Sequence, residues 1–205
     1  MEQYKGTKFK TLFIQREIPH YSGILQLKKW GRRFFELGFV PQYVDPSQKG
    51  KKGSAGNLSF RHENEFIITA SYSDLSNLMP EDFVAISKVD IEEKIVWAKG
   101  LKEPSSETIL HYLIHQKRDD VGAIFHAHAK AFLDYYYLLD LDVTEHYAPY
   151  GSLELAKEVC AVLNKKNFII MKDHGFLSLG KAIDEAGKRA LRLYEKLQSR
   201  LNKKE

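Results

Sequence analysis

Apolar positions along the chain follow two different rhythms. In residues 22–38, "SGILQLKKWGRRFFELG", apolar side chains recur at Ile24, Leu25, Leu27, Trp30, Phe34, Phe35 and Leu37, close to a 3.6-residue period, and stop at Gly38. The spacing predicts an amphipathic helix with a glycine terminator. Residues 44–57, "VDPSQKGKKGSAGN", read as turn and loop, rich in residues that let backbone approach a ligand. "NLSFRH" and "EFIITAS" then read as short strands joined by a hairpin turn at Glu63 and Asn64, and "DFVAISKVD" and "KIVWAKG" repeat the arrangement around "IEE". After its helix, the first half is expected to be antiparallel sheet.

The second half changes period. "SSETILHYLIHQKR" (105–118) opens on serines ahead of a glutamate, a helix N-terminus by composition, and ends basic. "VGAIFHAHA" is strand-like, "KAFLDYYYLLD" helical, and "SLELAKEVCAVLNKK" helical with Ser152 as its cap. "NFIIMKDHG" is strand-like, and "AIDEAGKRALRLYEKLQSRL" forms a long terminal helix. The sum is a single-domain α/β or α+β fold, a mostly antiparallel sheet with helices packed on it.

Composition narrows the class. The 205 residues, 43% hydrophobic and 28% charged, fit one well-filled soluble core. A single cysteine, Cys160, excludes an intramolecular disulfide framework, and with no early apolar leader it points to a cytoplasmic location. No apolar run approaches the roughly 18–20 residues of a membrane span. The formal charge of +4 is mild, with lysines gathered in "SQKGKKGS" (47–54) and "SRLNKKE" (199–205). No aromatic residues interleave with them, so solvated loop and helix end account for them better than nucleic-acid binding, and the loop can also draw in an anionic small substrate.

Candidate chemistry begins at "VGAIFHAHAKAF" (121–132). On a strand, positions i and i+2 share a face, so His126 and His128 project together. Two imidazoles on one rigid edge can bind one zinc ion, or the alternation can simply face water. His174, where an apolar strand gives way to a glycine turn in "IIMKDHGFLSLG", is the best third ligand, and three histidines leave the open position of a catalytic metal. A competing trio, Glu107, His111 and His115, lies four residues apart on one helix, without the His-Glu-x-x-His pattern of zinc proteases. Glu107 also stands in the first helical turn beside Ser105 and Ser106, where free N–H groups and the helix dipole favour an anion.

"GNLSFR" (56–61), "ITAS…DLSNL" (68–78), "PSSE" (104–107), "HAH" (126–128) and "HG" (174–175) follow one another as in the class II aldolase/adducin family, which the chain resembles over roughly residues 22–200. The resemblance implies one such domain over residues 1–205, with 1–20 an N-terminal extension and 21–200 the core. It implies an α/β/α fold around a largely antiparallel sheet, in a homotetramer with the metal in a cleft between subunits. His126, His128 and His174 match the zinc ligands, although imidazole also accepts manganese or cobalt. Glu107 matches the acid/base carboxylate. Asn57, Ser71, Ser105 and Ser106 match positions that hold a substrate phosphate. Tyr147, with Tyr150 close by in "EHYAPYG", resembles a catalytic tyrosine.

The activity so implied is retro-aldol cleavage of a small sugar phosphate, the metal stabilising an enediolate as Lewis acid. Epimerisation and dehydration of a sugar phosphate use the same framework, and the glutamate fits aldolase or dehydratase better than epimerase. A non-catalytic adducin-like interaction module is the alternative from another class, and would be expected to have lost the histidines. Two features depart from the family. Tyr72 stands where a small residue is usual beside the phosphate, and the segment between His128 and His174 is short.

Overall fold

The computed structural model describes residues 6–46 and 50–203. The lysine-rich loop and basic C-terminus are therefore described only in part, since residues 47–49 and 204–205 lie outside the described residues.

Strand β1 (Lys10–Gln15) leads into helix α1 (Ile24–Glu36), which occupies the span its periodicity predicts. A hairpin of β2 (Gln42–Asp45) and β3 (Lys51–Ser54) follows, then β4 (Gly56–His62), β5 (Glu65–Thr69), β6 (Phe83–Asp90) and β7 (Ile95–Lys99). The second half runs α2 (Thr108–Lys117), β8 (Ala123–Ala127), α3 (Lys130–Tyr135), β9 (Asp142–Val143) and α4 (Leu153–Val162), then β10 (Phe168–Met171), β11 (Gly175–Gly180) and α5 (Ile183–Leu201). Ser152 caps α4, its Oγ accepting from the Leu155 amide at 3.1 Å.

The nine-stranded sheet has the order β1-β7-β6-β5-β4-β8-β11-β10-β9. Its edge pairings, β1 with β7 and β9 with β10, are parallel, and every pairing between them is antiparallel. The sheet is therefore mixed, antiparallel throughout its centre. Two parts of the chain differ from the sequence reading. Residues 44–57, expected to be loop, hold most of the β2–β3 hairpin and the start of β4, because Gln42–Asp45 pairs with Lys51–Ser54. "GFLSLG" forms β11, inserted between β8 and β10 and buried along its length. The N-terminal segment, expected as an extension, contributes the edge strand β1 to the sheet.

Helices cover both faces, which makes an α/β/α arrangement. Alternation along the central strands assigns each side chain to a layer. Ala123, Phe125 and Ala127 of β8 join Phe34 of α1, Phe132 of α3, Phe176 of β11 and Ala190 of α5 in one core. Phe34 sits at its centre, edge-on to Phe39 and Phe125 with centroids 5.2 and 5.5 Å apart. Ile124 faces the other way, with Leu110 and Ile114 of α2, Leu155 and Val159 of α4, and Leu177 of β11. The register thus sends His126, two residues after Ile124, towards α2. No helix among the described residues is long and apolar enough to cross a membrane.

Candidate active site

Four polar side chains from three parts of the chain converge at the end of β8 nearest α2. His126 is 1% exposed near the end of the strand, and His128 follows just beyond it. Their Nε2 atoms are 2.9 Å apart. His174 arrives from the β10–β11 turn, closed by the His174 amide donating to the Met171 carbonyl at 3.0 Å, with Asp173 at φ +55°. One ring nitrogen from each of the three histidines lies within 4.8 Å of the others, the one such His/Cys/Asp/Glu group among the described residues. Gly175 permits this approach. A Cβ there would stand 2.5 Å from the Ala127 carbonyl oxygen and 2.7 Å from His126 Cε1.

Glu107 completes the cluster. It occupies the N-cap of α2 and is 3% exposed. His174 Nε2 lies 2.9 Å from its Oε1, the amide of Asn57 donates to Oε2 at 2.9 Å, and His126 Nε2 is 3.2 Å from Oε2. Burial opposes ionisation of this carboxyl, but His126, His174 and the Asn57 amide outweigh it and hold the group well below the usual carboxylate range. The imidazoles are driven the other way. Burial lowers the pKa of His126 against the pull of Glu107, and lowers that of His128 well below its ordinary value, with His126 and His174 adding to the effect. Burial thus favours the neutral, lone-pair-bearing form of His126 and His128.

This donor set fits a divalent metal on its own chemistry. His126 Nδ1 is 3.0 Å from the Phe176 carbonyl, so the ring proton belongs on Nδ1 and Nε2 offers a lone pair. That lone pair faces both His128 Nε2 and the Glu107 carboxylate, so electron-rich atoms converge where a cation would unite them. The carbonyl that fixes the His126 tautomer is the outer support expected of a metal-binding imidazole.

The surrounding cavity, about 230 Å³, is lined by these residues and by Asn57, Ser71, Ser105, Ser106, Tyr147 and Tyr150. Every site residue expected from the sequence thus lies at one cavity, and Asn57, Ser71 and Ser105 are already hydrogen-bonded within the chain. Ser71 Oγ donates to the Pro104 carbonyl at 2.9 Å, Ser105 Oγ accepts from the Glu107 amide at 3.3 Å, and Asn57 holds Glu107. Tyr147 is 45% exposed at the rim, whereas Tyr150 is buried. Tyr72 adopts φ +60°, uncommon for a bulky residue, and its hydroxyl donates to Asp45 Oδ2 at 2.8 Å.

The competing helix trio does not assemble. His111 turns to Ser59, its Nδ1 2.7 Å from the hydroxyl, while His115 Nδ1 meets the Val121 carbonyl at 3.2 Å. The sequence reading missed Asp45 and Asp173 as cavity walls. It also missed the polar face of β4, where Asn57, Ser59 and Arg61 meet Glu107, His111 and the His115 carbonyl of α2. The signal was available, since polar residues two apart on a strand face others four apart on a helix.

Residues 47–200 match the family model described as Class II Aldolase and Adducin N-terminal domain. An L-fuculose phosphate aldolase of Methanococcus maripaludis is 37% identical over 148 residues, covering 65% of this chain and 77% of the relative. A 5-methylthioribulose-1-phosphate/5-deoxyribulose-1-phosphate aldolase of Rhodospirillum rubrum is 31% identical over 160 residues, covering 70% and 69%. The crystal structure of L-fuculose-1-phosphate aldolase from Thermus thermophilus superposes with a TM-score of 0.66 at 20% identity, over 88% of this chain and 93% of that one, a likeness of fold.

Proposed function

The chain belongs to the class II aldolase and adducin family, and from that premise we propose that it is a metal-dependent lyase cleaving a carbon–carbon bond of a small sugar phosphate by retro-aldol reaction. The observation that carries the reading is the buried Glu107 held against His126 and His174, two of three converging imidazoles, in the lining of one cavity. An interaction module has no need of a buried carboxylate whose desolvation is so costly. The substrates in its relatives' names, L-fuculose phosphate and 5-methylthioribulose 1-phosphate, support a ketose 1-phosphate as the substrate class.

His126, His128 and His174 would hold the metal, and zinc suits an all-imidazole set. The cation supplies Lewis-acid stabilisation of the negative charge that develops when a bond beside a carbonyl breaks. Glu107 carries a proton to or from the substrate carbon, its carboxylate kept ionised and oriented by Asn57 and His174. Tyr147, at the rim, takes the proton of the C4 hydroxyl as that oxygen becomes the aldehyde carbonyl, and returns it in the reverse, condensing direction. Ser71, Ser105, Ser106 and the second N–H of Asn57 bind the phosphate, Ser105 and Ser106 drawing on the amide end of α2. The same reading makes the protein a cytoplasmic homotetramer.

The test is aldehyde release from a panel containing L-fuculose 1-phosphate and 5-deoxyribulose 1-phosphate, followed with a coupled alcohol dehydrogenase. The reading expects turnover of at least one, lost on chelation and restored by zinc, manganese or cobalt. No aldehyde from any ketose 1-phosphate with the metal-loaded protein sinks it.

A further inference from the structure

His111 takes no part in the metal cluster, yet it is fully buried directly behind it. A buried histidine costs desolvation, and here burial lowers its pKa to about 3, so the ring is neutral. Its contacts all point one way. Its backbone amide donates to the Glu107 carbonyl at 3.1 Å, closing the first turn of α2, and its Nδ1 meets Ser59 Oγ at 2.7 Å. Ser59, itself 0% exposed, is two residues from Asn57 on the same face of β4, and Asn57 holds the Glu107 carboxylate. Glu107 is thus gripped at its backbone by His111 and at its carboxylate by Asn57, and the Ser59–His111 bond ties those two grips together.

Hydrogen bonding in this layer is incomplete in a telling way. Asn57 Oδ1 and His111 Nε2 are both buried without a hydrogen-bond partner. An apolar pair in place of Ser59 and His111 would close the helix on the strand with fewer such costs, so packing alone does not explain the residues. What a directional bond adds is register. Glu107 at the N-cap of α2 makes no side-chain cap bond, so this end of the helix is held locally by Ser105 and Thr108 and across to β4 by the Ser59–His111 bond.

We propose that His111, held by Ser59, is a positioning residue for Glu107, docking the first turn of α2 on β4 at the register in which Asn57 and His174 orient the carboxylate. The proposal rests on the lyase reading, in which Glu107 moves a proton on carbon. A displacement of about 1 Å at such a group costs roughly 10²-fold in rate.

The experiment isolates that proton step. Dihydroxyacetone phosphate, the three-carbon fragment left when a ketose 1-phosphate is cut between C3 and C4, is incubated with metal-loaded protein in D₂O. NMR then follows exchange of the C3 hydrogen for deuterium. Wild type is compared with His111→Leu, His111→Asn, Ser59→Ala and the Ser59→Ala/His111→Leu double variant. The expected result is a fall of about 10²-fold in kcat for His111→Leu, with KM within threefold and metal per chain unchanged. His111→Asn, which keeps a polar atom near the Nδ1 position, recovers at least tenfold, and the double variant is no slower than His111→Leu. An unchanged kcat, a loss confined to KM, loss of metal, or failure of His111→Asn to recover rate overturns the proposal. Should His111→Leu not fold, Ser59→Ala decides, an undiminished kcat being contrary. No exchange by wild type overturns the lyase reading and this proposal together, whereas exchange by wild type with equal rates in the variants overturns the proposal alone.

Discussion

Replacing Gly175 by alanine adds a single methyl group at the junction of β8 and β11, and the structure defines what that methyl meets. Its Cβ would lie 2.5 Å from the Ala127 carbonyl oxygen and 2.7 Å from His126 Cε1. Both are about an ångström short of comfortable contact. The oxygen is backbone, and the strands are paired in register from Phe176↔Ala127 onward, so that side cannot yield without opening the sheet. The His126 ring is tied by Nδ1 to the Phe176 carbonyl, so turning it away breaks the bond that fixes its tautomer. Overpacking of this kind costs about 1–3 kcal/mol, or roughly 2–12 °C in Tm for a chain of this size. Disturbing the outer support of a metal-binding imidazole weakens binding by about 10–100-fold. Zinc affinity measured by competition with a chromophoric chelator, alongside thermal melting of the metal-free protein, reads both effects. Gly38→Ala is the control. Gly38 has φ +71° with nothing within 4 Å of a Cβ, so it should lose about 1 kcal/mol and leave zinc affinity unchanged. Wild-type melting and wild-type zinc affinity in Gly175→Ala would refute the reasoning.

Three further outcomes are expected. Ser152→Ala removes the α4 cap and should cost about 1 kcal/mol, some 2–4 °C in Tm, with metal content unaltered; an unchanged melting curve contradicts the cap. His115 is buried, which lowers its pKa to about 4, with Arg61 adding to the effect. Between about pH 6.5 and 4 the unfolded chain binds the proton that the folded chain refuses, so stability falls as pH drops through this window. The His115 contribution at pH 5.5 is about 1 kcal/mol relative to pH 7.5. His115→Gln should show that much less acid sensitivity in urea unfolding, and an identical pH dependence would dismiss the assignment. Phe34→Ala empties the centre of the aromatic core and should cost about 3–5 kcal/mol, read as a shift in urea midpoint without a change in slope.

Elements whose pattern is local were legible in the sequence. α1 and α5 each present a long amphipathic stripe, and the β4–β5 and β6–β7 hairpins are bounded by polar turns. β11 was not, because all six residues of "GFLSLG" are buried and a strand covered on both faces has no alternation to read. β1 depends on parallel pairing with β7, far along the chain, and β2–β3 is a polar, lysine-bearing hairpin without an apolar face. The site divides the same way. That His126 and His128 share a face follows from strand geometry, and Glu107 from its place at a helix start. That His174 meets them depends on β11 lying beside β8, and the partnership of Ser59 with His111 depends on α2 crossing β4. Neither neighbour relation is written in a local period.

The central claim is that His126, His128 and His174 hold one metal ion beside Glu107, and metal content per chain measures it most directly. The wild-type protein, purified without chelator and analysed by mass spectrometry of the metals, should carry about one divalent ion per chain. His126→Ala and His174→Ala should each carry none, while His111→Ala keeps the wild-type content. Full occupancy in His174→Ala, or loss of metal in His111→Ala alone, would contradict the account.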